Sequence, residues 1–130
     1  MKLCNVKASG GGVELSLGNL RNSTLNIGIY GGGFSANLNY SDYVGKAEIN
    51  VSINGGGGEL KIENINAKVK VDASISGGGG TVKINDIATI SIGGASKAKT
   101  YVDEGFDEAA KKLTVNINVS GGGFDVGIRR

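Results

Sequence analysis

The sequence predicts an all-β, single-domain repeat protein of solenoid type. Three observations lead there. Glycine triplets or quartets return about every 22 residues, at Gly10–Gly12, Gly31–Gly33, Gly55–Gly58, Gly77–Gly80 and Gly121–Gly123. Self-similarity at a fixed period is the mark of a repeat architecture. Each cluster lies inside runs of alternating apolar residues, the signature of half-buried strands. Gly 24 with Pro 0 in 130 residues would suit a flexible linker, but linkers lack strict alternation.

The first glycine of each cluster gives the frame. Two residues before it stand Ala8, Ile29, Ile53, Ile75 and Val119. Five and seven residues after it stand Leu15 and Leu17, Ala36 and Leu38, Leu60 and Ile62, Val82 and Ile84, and Val126 and Ile128. These offsets differ by an odd number. A straight strand would therefore turn its second arm outward. A bend at the glycines restores the inward face, and glycine reaches the required φ at least cost. The unit reads strand, glycine corner, strand, polar turn. The turns fall at Gly18-Asn19, Arg21-Asn22-Ser23, Ser41-Asp42 and Asn85-Asp86.

A sixth, degenerate unit is expected at Ile90-Ser91-Ile92-Gly93-Gly94, so the predicted corners are Gly10, Gly31, Gly55, Gly77, Gly94 and Gly121. Residues 95–112 break the pattern. Within them Asp107 to Lys112 is expected to form one helical turn, acids first and lysines last. The alternative fold is an antiparallel sandwich with the glycines as hairpin loops. Regular spacing and the equivalent positions of Asn26, Asn50 and Asn116 favour stacked units, about six of them over residues 1–130.

Composition narrows the function. Hydrophobic residues are 39% and aromatics 5%, so the core is built from small aliphatics. Net charge is +2, with little aromatic surface to stack a base, so nucleic acid is not an expected partner. His is 0, which removes the commonest general base and transition-metal ligand. Cys4 is alone, forming neither an internal disulfide nor a thiolate cage, and is read as a small core residue. No apolar run reaches the ~18 residues of a membrane helix. The start, Met1 to Val6, lacks the apolar core of a signal peptide. Two readings of that start are open: an intracellular protein, or a domain of a longer exported or anchored chain.

The repeated apolar-x-apolar-x-Gly-Gly-Gly texture, with Tyr101-Val-Asp-Glu-Gly-Phe-Asp107 and Leu113-Thr-Val-Asn-Ile-Asn-Val-Ser-Gly-Gly-Gly123, resembles the toast-rack, adhesin-type family. The resemblance spans the whole chain. It implies a right-handed β-solenoid of bacteria or archaea, outside the cell or in envelope-stress sensing. It carries over no catalytic residue.

Other chemistry is weighed against plainer roles. Phosphate-cradling loops need a helix after the glycines, and here another strand follows. Asp103, Glu104, Asp107 and Glu108 form the densest carboxylate cluster. They are candidates for Ca²⁺ or for paired-carboxylate glycoside chemistry, against a solvated loop as the favoured reading. Asn22, Asn39, Asn50 and Asn118 head glycan acceptor triplets, the first two in turns and the last two in strands as ladder residues. Tyr40 and Tyr43 flank a turn and are candidates for a sugar- or protein-contacting patch. Stacked units also leave edges that must be capped or used. Arg129 and Arg130 are expected to blunt the last edge, 95–112 to cover one end, and the first unit to remain open to self-association. The expectation is a non-enzymatic structural or adhesion-type module of a prokaryotic envelope, without cofactor. The alternatives are an intracellular polymerising scaffold and a carbohydrate- or calcium-binding domain.

Overall fold

The computed structural model describes residues 2–20, 23–40, 46–63, 68–84, 87–93 and 97–129. Its strands are β1 (Lys2–Ser9), β2 (Gly12–Leu20), β3 (Ser23–Tyr30), β4 (Gly33–Tyr40), β5 (Lys46–Asn54), β6 (Gly57–Glu63), β7 (Lys68–Ser76), β8 (Gly79–Ile84), β9 (Ile87–Gly93), β10 (Lys97–Val102), β11 (Lys112–Ser120) and β12 (Gly123–Ile128). They build two six-stranded sheets, ordered β1-β3-β5-β11-β7-β10 and β2-β4-β6-β12-β8-β9. Pairing is parallel throughout except at one edge, where β10 runs antiparallel to β7 and β9 to β8. The sheets do not close on each other.

Each glycine cluster connects one sheet to the other. The strand before the corner lies in the first sheet and the strand after it in the second, so the corners are arches and not the hairpin loops of an antiparallel sandwich. The predicted parity holds: Ile29 and Ala36, or Ile53 and Leu60, point together into one core. The second glycine of each corner is the demanding position. Gly56 has φ 129, and a Cβ there would overlap the carbonyl oxygen of Gly32. The arches stack that closely because their corners are hydrogen-bonded to each other: Gly57 N donates to Gly32 O at 3.0 Å and Gly31 N to Gly55 O at 2.7 Å.

The order of arches differs from the chain order. The last arch, β11–β12, inserts between β5–β6 and β7–β8. Side-chain size is matched between neighbouring arches in this order. At the third position after the corner, the inward residues across the second sheet read Val13, Phe34, Gly58, Phe124 and Gly80. A Cβ on Gly58 would overlap the Phe34 ring, and one on Gly80 the Phe124 ring. Each phenylalanine therefore fills the space its glycine neighbour leaves.

Five expectations are corrected here. Ile90-Ser91-Ile92 is not a sixth lead-in arm; it lies on β9 in the second sheet, reversed against β8. Gly94 lies outside the described residues. Residues 95–112 are not wholly irregular, because they carry β10, which covers the β7 edge. The helical turn is a 3₁₀ turn at Phe106–Glu108, entered through Gly105 with φ 79. It starts one residue early because Phe106 is the buried anchor, with Lys112 Nζ 5.4 Å from its ring centroid. Arg129 does not guard an edge. It follows the intercalated arch, and its N–H donates to Ile62 O at 2.8 Å. Gly18 and Asn19 belong to β2, whose register against β4 shifts between Leu17 and Leu20. The turns at 21–22, 41–42 and 85–86 lie outside the described residues.

Two measurements check this architecture. Gly56→Val should lower stability by at least ~3 kcal/mol in urea unfolding, because it combines positive φ with a backbone overlap. A loss like that of a surface change would contradict the stacked corner. Cysteines replacing Glu59 and Asp125, which are register partners, should cross-link on oxidation in a Cys4→Ser background. The pair at Glu59 and Thr81 should not, whereas stacking in chain order predicts the reverse.

Candidate functional site

The acidic cluster does not converge. Asp103 is buried at 7% exposure, and its carboxylate faces the fold. One oxygen accepts from Val69 N at 2.8 Å and the other from the Tyr101 hydroxyl. Asp103 N also donates to Val69 O at 3.0 Å, and Phe106 N to Asp103 O at 3.1 Å. Asp103 thus pins the segment after β10 to β7. Glu104, Asp107 and Glu108 are exposed around the 3₁₀ turn. Among the described residues, no group of three acidic, histidine or cysteine side chains is placed to hold a metal ion. The cation reading of this cluster gains no geometric support among the described residues, and Asp103 makes structural contacts.

The outer face of the first sheet is more distinctive. Asn5, Asn26, Asn50, Asn116, Asp72 and Thr100 share one register line across all six strands. Their side chains are joined along much of it. Asn26 donates to Asn5 at 2.8 Å, Asn50 to Asn26 at 2.8 Å, Asn116 to Asn50 at 2.9 Å, and Thr100 to Asp72 at 2.7 Å. Asn50 is therefore a ladder residue, as the pattern suggests. Asn118 is exposed on β11 between Ser52 and Ser74.

Nearer the corners this face carries short uncharged groups. Ser52, Asn118 and Ser74 form one row, and Tyr30, Asn54, Ser120 and Ser76 the next. They line a shallow groove of ≈ 350 Å³. Tyr30 is 50% exposed. Its Cε2 lies 3.7 Å from where a Cβ on Gly28 would be, so the ring lies back along the strand over Gly28. Missing a side chain, Gly28 allows that pose. The ring bordering this hydroxyl and amide array suits an apolar sugar face with hydroxyl partners beside it. Reading the residues one by one missed this site, because Tyr30 and Asn118 are far apart in sequence. The signal was the repeat frame, which places Ser52, Ser74 and Asn118 at one offset.

The outer face of the second sheet is different. A groove of ≈ 380 Å³ runs over Gly127, with Lys61 and Lys83 on the flanking strands. Lys61 pairs with Glu59 at 3.2 Å, both well exposed, so that pair adds little stability. The groove carries both signs of charge: Asp125 and Glu63 also line it.

The other predicted residues contribute less. Asn22, Tyr43 and the side chain of Tyr40 lie outside the described residues, as does the side chain of Cys4. Asn39 is exposed on β4. The corners Gly10, Gly31, Gly55, Gly77 and Gly121 all have positive φ and act structurally. No described helix is long and apolar enough to cross a membrane. Comparison with protein-family models, characterised proteins and solved structures returns no match, so the toast-rack resemblance rests on the repeat texture alone.

Asp103→Ala should cost about 3 kcal/mol, since it strands the Val69 N–H and the Tyr101 hydroxyl in a buried site. Added millimolar calcium should leave the melting temperature of the parent chain unchanged. A calcium-dependent rise that Asp107→Asn abolishes would restore the cation reading.

Proposed function

We propose that the chain is a non-catalytic, adhesion-type module of a prokaryotic cell envelope, of solenoid-like build. On this reading it contacts a hydroxyl-rich polymer, such as a surface glycan, through the outer face of the first sheet. The observation that carries the proposal is the Tyr30 ring lying over Gly28 beside the uncharged rows of Ser52, Asn118, Ser74 and Asn54. An exposed ring of this kind stacks on the apolar face of a pyranose, and the amides and hydroxyls exchange hydrogen bonds with its rim. A repeating polymer also suits a repeating face. Adjacent strands offer like groups at a regular spacing near ~4.8 Å. The envelope setting rests on the toast-rack resemblance.

The test is retention on insoluble polysaccharides, among them chitin, cellulose and peptidoglycan sacculi. Tyr30→Ala should weaken retention about two- to tenfold, the worth of one aromatic contact, with the melting temperature nearly unchanged. Lys83→Ala, on the opposite face, should have no effect. Absence of retention on every polymer, or retention indifferent to Tyr30→Ala, would remove the glycan reading.

A further inference from the structure

The two ends of the stack are built differently. At one end β9 and β10 reverse direction, and the exposed Lys99 occupies the edge-strand position opposite Ala73. A charged side chain on an edge strand opposes further pairing. At the other end β1 and β2 have no strand beyond them among the described residues. Val6, Val13 and Leu15 lie there only half-buried against the core, while equivalent residues inside the stack, such as Ile27 and Ala36, are buried.

We infer that the β1–β2 end is the interface of a two-fold dimer, with a second copy of this chain as its occupant. The sequence of the end is complementary to itself. Val6 stands four residues before Gly10, and Leu15 four residues after Gly11. Both therefore sit at one distance from the corner. A two-fold axis through that level, perpendicular to both sheets, pairs β1 with β1 and β2 with β2 antiparallel. Val6 then meets Val6 of the second copy, and Leu15 meets Leu15. The three half-covered residues Val6, Val13 and Leu15 are thereby covered.

The outer positions agree. Lys7 falls opposite Asn5 of the second copy, and Glu14 opposite Ser16, so no like charges face each other. Head-to-tail stacking would instead press the β1–β2 end against the edge bearing Lys99. The contact is thus isologous and closes at two copies. Both outer faces of the first sheet end on the same side of the dimer, so two copies of any site there act together. The dimer itself does not depend on the glycan reading.

The test is molar mass by light scattering on the full chain, from nanomolar to millimolar, with circular dichroism as the check of folding. The mass should rise to twice 13.2 kDa and stop. Two exposed double variants then probe the register with opposite signs. Asn5→Lys with Ser16→Glu opposes Lys7 and Glu14 with like charges and should weaken the dimer at least about tenfold. Asn5→Asp with Ser16→Lys opposes them with unlike charges and should tighten it by a similar factor. A monomer at every concentration, growth beyond two copies, or a dimer unmoved by both variants would each overturn the inference.

Discussion

The stack depends on the absence of a side chain at the second glycine of every corner but the first. Gly32, Gly56, Gly122 and Gly78 each place their Cα where the carbonyl oxygen of the preceding arch leaves no room for a Cβ. This contact sets the spacing of the arches. The corner must also turn the chain so that both arms face one core, which requires positive φ at two successive residues. Once spacing and turn are set, the ladders on both sides, the packing of aliphatic residues between the sheets and the outer asparagine line follow from register. The core that results is one continuous cluster built almost entirely of aliphatic residues, with Phe34 and Phe124 among them.

Register was legible in the sequence; strand order was not. The glycine frame identified the lead-in and follow-on arms, and the inward residues Ile29, Ile53, Ile75, Val119, Leu60, Val82 and Val126 are all buried, while Leu15 in the first arch is half-buried. The frame is the same for every arch, so it cannot say which arch lies beside which. The arches differ most plainly at the third position after the corner, which holds Phe34, Gly58, Gly80 and Phe124. The fourth members of the glycine quartets, Gly58 and Gly80, are sockets for phenylalanine, a role visible only once neighbouring arches are known. For the same reason Ile90-Ser91-Ile92 passed for another lead-in arm: alternation does not record strand direction.

The surface was legible in part. The equivalence of Asn26, Asn50 and Asn116 pointed to a ladder, and Asn5 joins it through the same offset. Asp103 was grouped with Glu104, Asp107 and Glu108 because acids close in sequence suggest a shared site. The four part company in the fold, because Asp103 is the member that meets an otherwise unpaired N–H, that of Val69, at the end of a ladder. In sequence Tyr30 is one of four tyrosines, and its packing over Gly28 gives its ring a defined pose.

Intercalation of the last arch also changes how the molecule holds together. In an array stacked in chain order, each unit touches its neighbours in sequence, and stability accumulates unit by unit. Here Asn116 bonds to Asn50 across a separation of 66 residues, and β11 joins β5 to β7. The arches before and after the gap share no ladder until β11–β12 enters. The Phe34–Gly58 socket can form early, whereas the Phe124–Gly80 socket waits for the end of the chain. Contacts that close so long a loop form late and slowly, because the loop entropy precedes their reward. The price of this topology is a slower search; its consequence is cooperativity, since losing the final arch separates the stack into two parts with no strand ladder between them.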